Sequence, residues 1–491
     1  MRKILLFILI VAFLKFEQDL FAKTYTLEEC INVAQKHSEY GKIISKNKKT
    51  RELKHDSFLA NYLPQFNLNF NLPGFNRSIT EYSNSVLDPK TGKYQIIKSY
   101  PEQSNLVSSS NLTMSQIIPL TGGELSFSTG ISRTDNILGN SVLFRSSPLN
   151  IFIRQPLFEF NSMKWDKEVE ELSFTKNEKI YHEALEQLAV EVTNRYFNLY
   201  IAEKEMLNAQ INININDTLY QLSKGRYNLG TISENELLQS ELGMMNAKNS
   251  YESVKLKFER AKEDLRITLS LPKDDELNIN PPLEAILFQI DKDFAFDNAM
   301  KNRPQIIDFE LKKLNAERDL NVAENRNNFQ ASINAGFGLN QSAGSIDEAY
   351  VDLLDQETFN ISVSVPIYQW GKGASDIEAA LLSKQSIEEQ IIIDKKKFEL
   401  DVKFQISEYI QLQNQVEISK KTFEIAEKRF DISNKRFNLG KINMTDFFIA
   451  QKEKNAALTA YIRILKDYWV GYYNLRKLTL YDFKEQQIIK Y

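Results

Sequence analysis

Arg226-Tyr227-Asn228-Leu229-Gly230 and Arg436-Phe437-Asn438-Leu439-Gly440 are one phrase written twice, 210 residues apart. The same offset carries Pro156-Leu157-Phe158 onto Pro366-Ile367-Tyr368, and Leu265-Arg266 onto Leu475-Arg476. Landmarks that share one register without a gap over so long a stretch point to a duplicated chain. Upstream a second offset appears. Leu27-Glu28-Glu29-Cys30-Ile31 resembles Phe296-Asp297-Asn298-Ala299-Met300, and Ser38 falls on Pro304, 266 residues on. The offsets differ by 56, so the first copy holds about 56 extra residues between Tyr40 and Pro156.

Each copy reads as helix, strands, very long helix, turn, helix. Residues 27–61 are helical in pattern and Leu63-Pro64 closes them. The period then drops to two. Phe66, Leu68, Phe70 and Leu72 alternate with Asn67, Asn69 and Asn71. Leu125, Phe127 and Ile131 alternate with Ser126, Ser128 and Ser132, and Leu149, Ile151 and Ile153 with Asn150, Phe152 and Arg154. The second copy offers Ile333, Ala335, Phe337, Leu339 and then Phe359, Ile361, Val363, Val365. A weaker strand runs near Asn111 to Ile118. These runs are close to the ~9–11 residues of a tilted bilayer-crossing strand. One such strand would equally suit a half-buried sheet in a soluble sandwich. The connections, read as long at 73–110, 134–147 and 341–357 and short at Pro119–Gly123, favour a barrel with loops on one side and tight turns on the other.

From Ser162 to Tyr227 there is no proline and one glycine, Gly225. A helix of that stretch would be roughly 100 Å long. Leu185, Leu188, Val192 and Leu199 keep the spacing that packed long helices require. A second helix returns after Gly230, and the pair recurs after Pro366. Residues 271–293, with Pro272, Pro281 and Pro282, read as a linker.

Composition narrows the function. The 491 residues are 42% hydrophobic and 26% charged, ordinary globular proportions. The net charge of -4, from 61 basic and 65 acidic side chains, gives no case for nucleic-acid binding. A mean hydropathy of -0.38 excludes a bundle of membrane helices but not a β-barrel. One cysteine and three histidines, His37, His55 and His182, cannot build a disulfide framework or a Cys/His metal site. Asp297, Glu310 and the acids of 165–191 read as solvated helix faces, as does the basic run from Lys46 to Lys54. Arg2 and Lys3 before the apolar run Ile4–Leu14, with Ala22 beyond it, read as a signal peptide over 1–22. Cys30 reads as a buried helix residue.

The duplicated halves, the strand-then-long-helix order and the paired Arg-Tyr/Phe-Asn-Leu-Gly turns resemble the TolC family of outer-membrane efflux proteins. Further shared phrases are Leu27-Glu28-Glu29-Cys30-Ile31, Leu63-Pro64-Gln65, Gln155-Pro156-Leu157-Phe158, Val365-Pro366-Ile367-Tyr368 and Gly371. The resemblance covers residues 23 to about 481. It implies an α+β membrane protein: a homotrimeric transmembrane β-barrel continued by a long α-helical coiled-coil tunnel in the periplasm, built from two internal repeats. It implies a passive exit duct for efflux or type I secretion, with a periplasmic membrane-fusion adaptor and an inner-membrane pump of RND, ABC or MFS type as partners. It implies outer-membrane lipid around the barrel, no cofactor and no catalysis. The competing reading is a structural coiled-coil protein of the envelope.

The division that follows is signal peptide 1–22, helical hairpin 23–62, barrel strands with an extra hairpin 63–156, long helices 157–270, linker 271–293, helices 294–328, barrel strands 329–366, long helices 367–481 and tail 482–491. The family pattern gives four strands per chain. Here the surplus lies between Leu63 and Pro156 and holds two more strand candidates, so six strands are expected in each of three chains, 18 in all. An extracellular cap or plug over 73–147 is the alternative. The turns at Leu229-Gly230 and Leu439-Gly440 are the expected adaptor-docking ends, with glycine suited to a left-handed helix stop. By resemblance Asp446, six residues after Gly440, is the expected acid of an anionic constriction, and Glu236 is its counterpart in the first repeat. Ile449 stands where some relatives carry the further aspartate of a second ring. Arg226 and Arg436 are the expected ion-pair residues of the closed state. The competing reading makes Glu236 and Asp446 first-turn acids that favour their own helix N-termini.

Overall fold

The computed structural model describes residues 24–89, 92–273, 276–439, 441–442 and 444–489. The expected signal peptide 1–22 and the turn glycine Gly440 lie outside the described residues. In chain order the elements are β1 (Thr24–Tyr25), α1 (Leu27–Lys36), α2 (Glu39–Ala60), β2 (Gln65–Ile79), β3 (Tyr82–Leu87), β4 (Tyr94–Ser99), β5 (Glu102–Ile118), β6 (Gly123–Asn136) and β7 (Ser141–Pro156). There follow α3 (Ser162–Asn228), α4 (Glu234–Leu269), β8 (Asn278–Ile279), α5 (Lys292–Asn302), α6 (Pro304–Arg326), β9 (Gln330–Ala343), β10 (Leu354–Ser364), α7 (Lys372–Asn438), α8 (Met444–Thr479), β11 (Tyr481–Asp482) and β12 (Gln487–Ile488). The chain forms two compact units.

The unit made of Glu52–Phe174 and Phe309–Ile391 contains a six-stranded sheet in the order β10-β9-β7-β6-β5-β2. Every neighbouring pair in it is antiparallel. Residues 111–118 and 123–132 lie within this sheet, in β5 and β6. Two expected loops are largely strand. Of 73–110, β2 continues to Ile79 and β5 begins at Glu102, with the separate hairpin β3–β4 between them. Of 134–147, only 137–140 turns. The apolar alternation fades at these ends, but ladder hydrogen bonds need only backbone, so the strands run on past the pattern that announces them.

The other unit comprises the described residues up to Arg51, Thr175–Asp308 and the chain from Ile392 onward. The duplication is exact in its helices: α3 and α7 each have 67 residues, α4 and α8 each have 36, and all four ends keep the offset of 210. Leu185, Leu188, Val192 and Leu199 are buried as their spacing requires, and Cys30 is fully buried. The segments read as linker and tail carry backbone pairings of their own. Within 271–293, β8 pairs in parallel with β1, and the carbonyls of Leu283 and Ile286 accept hydrogen bonds from the Tyr461 and Tyr468 hydroxyls, each at 2.5 Å. In the tail, β11 and β12 form an antiparallel pair. Buried backbone needs partners, and the prolines that stop helices here do not stop these contacts.

Candidate functional site

The sheet register sorts side chains onto two faces. Phe66, Met114, Phe127, Ile151 and Phe337 stand side by side in one row across five strands. One residue along, Asn67, Thr113, Ser128, Asn150, Gly338 and Gln356 make the next row, on the opposite face. A soluble sandwich would cover the apolar face. Here Phe66 is 69% exposed, Phe70 67% and Phe359 70%. A continuous exposed apolar sheet face marks a surface built for another apolar phase or partner. Both edge strands, β2 and β10, also leave one backbone edge without a ladder partner among the described residues.

The first helix turn is closed by two devices. Gly230 sits at φ +71°, the left-handed conformation that glycine adopts without strain. Its N–H donates to Tyr227 O at 2.8 Å, and Thr231 N–H donates to Arg226 O at 2.9 Å, which makes a Schellman stop. Ser233 then caps α4. Glu236 N–H donates to Ser233 Oγ at 3.3 Å, while the Ser233 backbone N–H donates to Glu236 Oε2 at 2.8 Å. This is a reciprocal capping box. Hydrogen bonds from the Ser233 backbone and hydroxyl hold the Glu236 carboxyl below the usual carboxylate range. The constriction role expected of Glu236 thus competes with an observed one: its carboxylate serves its own helix. The Ser-x-x-Glu spacing was a readable signal for this.

The second turn repeats the plan. Lys441 N–H donates to Arg436 O at 2.8 Å, as Thr231 does to Arg226. Asp446 is exposed in the first turn of α8. Behind it Phe430, Phe437, Phe447 and Phe448 form an aromatic cluster, with Phe437 and Phe447 stacked at 4.9 Å. No such cluster occupies the first turn, where Leu237 and Leu238 stand at the positions of Phe447 and Phe448. Leu229 and Leu439 are 80% and 69% exposed at the turns. Arg226 and Arg436 are exposed, and neither forms an ion pair among the described residues.

Sequence reasoning missed one polar centre. Glu186 is fully buried, not on a solvated face, and Arg476 grips it through Nη2 at 2.8 Å and Nε at 3.1 Å. Arg476 Nη1 also reaches Asp482 at 2.8 Å, and the Tyr472 hydroxyl donates to Asp482 at 2.7 Å. Burial works against the Arg476 charge, but Glu186 outweighs it and the guanidinium pKa rises. The repeat-related Arg266 donates to the carbonyls of Pro272 and Lys273, each at 2.6 Å. Both arginines therefore tie down the segment that follows their helix. His55 meets Glu170 at 3.0 Å and stacks on Phe174. Among the described residues no group of three or more His, Cys, Asp and Glu is placed to hold a metal.

Residues 295–479 match the family model described as outer membrane efflux protein. Solved structures are similar over nearly the whole chain. The CmeC outer membrane channel of Campylobacter jejuni aligns with a TM-score of 0.61 at 14% identity, covering 95% of this chain and 87% of that one. The MtrE outer membrane channel of Neisseria gonorrhoeae, in its open state, gives 0.59 at 15% identity, covering 92% and 88%. The outer membrane protein VceC of Vibrio cholerae gives 0.57 at 12% identity, covering 92% and 95%. No curated protein matches the chain. At these identities the structures show the fold, that of outer-membrane channels with an α+β architecture and a helical tunnel. The resemblance read from the repeats and turns is borne out, and the expected outer-membrane localisation is that of these channels.

Proposed function

We propose that three copies of this chain close an 18-stranded outer-membrane barrel, six strands from each, and form a passive exit duct continued by their paired long helices. The observation that carries this reading is the one-sided sheet with two free edges. Unpaired backbone groups in hydrocarbon cost several kcal/mol each, so open edges cannot remain in lipid. With six alternating strands, β2 and β10 run in opposite directions, and β2 of one copy can pair antiparallel with β10 of the next. An even strand number is what such closure requires. The Phe, Leu, Ile and Val face then meets lipid, and the Asn, Ser and Thr face lines water.

The exposed Leu229 and Leu439, beside Gly230 and Gly440, support docking of a periplasmic adaptor at the helix turns. Through it the duct couples to an inner-membrane pump, in efflux or type I secretion. Three copies of Asp446 form an anionic ring at a constriction, because carboxylates held together attract cations. Glu236 keeps its capping role. Arg226 and Arg436 hold the closed state through ion pairs with neighbouring helices. The duct needs no catalytic group. The test is reconstitution of the purified full chain in planar bilayers: discrete conductance steps are expected, and a trimer that inserts without conducting would leave only a structural envelope role.

A further inference from the structure

The polar face of the sheet is poor in charge. Its cross-strand pairs set amide against amide or hydroxyl: Asn69 opposite Asn111, Asn76 opposite Asn105, Asn334 opposite Asn360. Among the paired residues of this face only Glu124, Arg145 and Arg154 are charged. Arg154 stands opposite Glu124 and also pairs with Glu159 at 3.1 Å. The scarcity is local, since the whole chain is 26% charged. It is also one-sided: Arg77, Glu102, Arg133, Asp135, Asp355 and Glu357 lie on the other face, toward the loop ends of the strands. The one aromatic ring on the polar face, Phe152, lies against the wall. A Cβ at its cross-strand neighbour Gly336 would stand 3.3 Å from Phe152 Cδ2, so the glycine leaves the ring its seat.

We infer that the barrel section of the duct is charge-blind: it passes anionic, cationic and neutral cargo alike and limits it by size. An amide offers donors and an acceptor together, so a wall of Asn, Gln, Ser and Thr hydrogen-bonds a solute of either sign. Selectivity by charge needs rings of one sign at a narrow point; here Glu124 faces Arg154, and Arg145, toward the loop end of β7, is the one further charge among the paired residues of this face. Any charge filter of the duct then lies in the helical section, where Asp446 stands, and the pump and adaptor do the remaining selection. The inference rests on the duct reading and deepens it.

Cysteine labelling tests the two separately. The chain's single native cysteine, Cys30, is fully buried, so an introduced thiol is read alone. Thr113→Cys and Ser128→Cys place it on the polar face of adjacent strands, and Leu112→Cys on the apolar face. Full-length trimers in lipid vesicles are treated with cationic and with anionic methanethiosulfonate reagents. At Thr113→Cys and Ser128→Cys the ratio of the two rates should lie within about twofold of the ratio for a free thiol in solution, because the nearest charged rows, at Glu124 and at Arg145 opposite Ser132, are each four residues along β6 from Ser128, roughly 13 Å at about 3.3 Å per residue and beyond a Debye length of about 8 Å. A departure of about tenfold or more at both positions would overturn the inference, since it reports a charged lumen. Labelling of Leu112→Cys as fast as Thr113→Cys would instead overturn the duct reading beneath it.

Discussion

Arg476 and Glu186 meet across 290 residues of chain, two guanidinium nitrogens on two carboxylate oxygens at 2.8 and 3.1 Å. The contact joins the last helix of the second repeat to the long helix of the first. Removing one member of a buried pair strands the other charge, at a cost of about 3–5 kcal/mol. Glu186→Ala should therefore lower the thermal midpoint of the helical signal sharply. Replacing both residues by apolar ones, Glu186→Leu with Arg476→Met, should recover much of the loss. A double variant as unstable as the single one would mean the pair itself, and not the stranded charge, sets the stability.

The capping box at Ser233 and Glu236 predicts a pH response with a defined sign. The native carboxyl titrates below its unfolded value, so its stabilisation is complete above the unfolded pKa of about 4.3 and is lost as pH falls through the lower native value. Amide protection at the start of α4 should fall over that acid window in the native chain. Glu236→Gln, whose amide accepts the same bond without titrating, should show a smaller step. Equal steps in both would assign the response to other groups.

At the neighbouring stop, Gly230→Val forces a β-branched residue to φ +71°. The Schellman bonds should break while the rest of the fold stands. Trimers should still reach the membrane, and transport through the coupled system should drop at least several-fold. Full transport would show that the turn geometry is not part of the docking surface.

Asp446 separates a pore acid from a helix-end acid. Asp446→Asn in reconstituted trimers should weaken cation selectivity and block by trivalent cations, because three carboxylates no longer face one another. Unchanged selectivity and unchanged block would leave Asp446 serving only the N-terminus of α8.

How far these features could be read from sequence depended on their range. The long helices were legible because a gap-free repeat, a 3.6-residue period and a terminal glycine all act locally. The six strands were legible where Phe66, Phe127 and Phe359 head an apolar alternation, and lost beyond it, so Tyr82–Ser99 and the ends of β6 and β7 passed for loops. Glu186 was misread as solvated because its partner is remote, and nothing near it in sequence announces a buried charge. Glu236 is the opposite case. Its capping partner lies three residues away, but the parallel with Asp446 across the repeat competed with that local signal.

The central claim, that three chains close one barrel through their free edges, is tested most directly by electron cryomicroscopy of the full chain in lipid nanodiscs. The account predicts three-fold symmetry, 18 strands from six per chain, β2 of each copy antiparallel to β10 of the next, and β5 and β6 in the wall. A different stoichiometry, or edges that stay unpaired with residues 102–136 outside the wall, would contradict it.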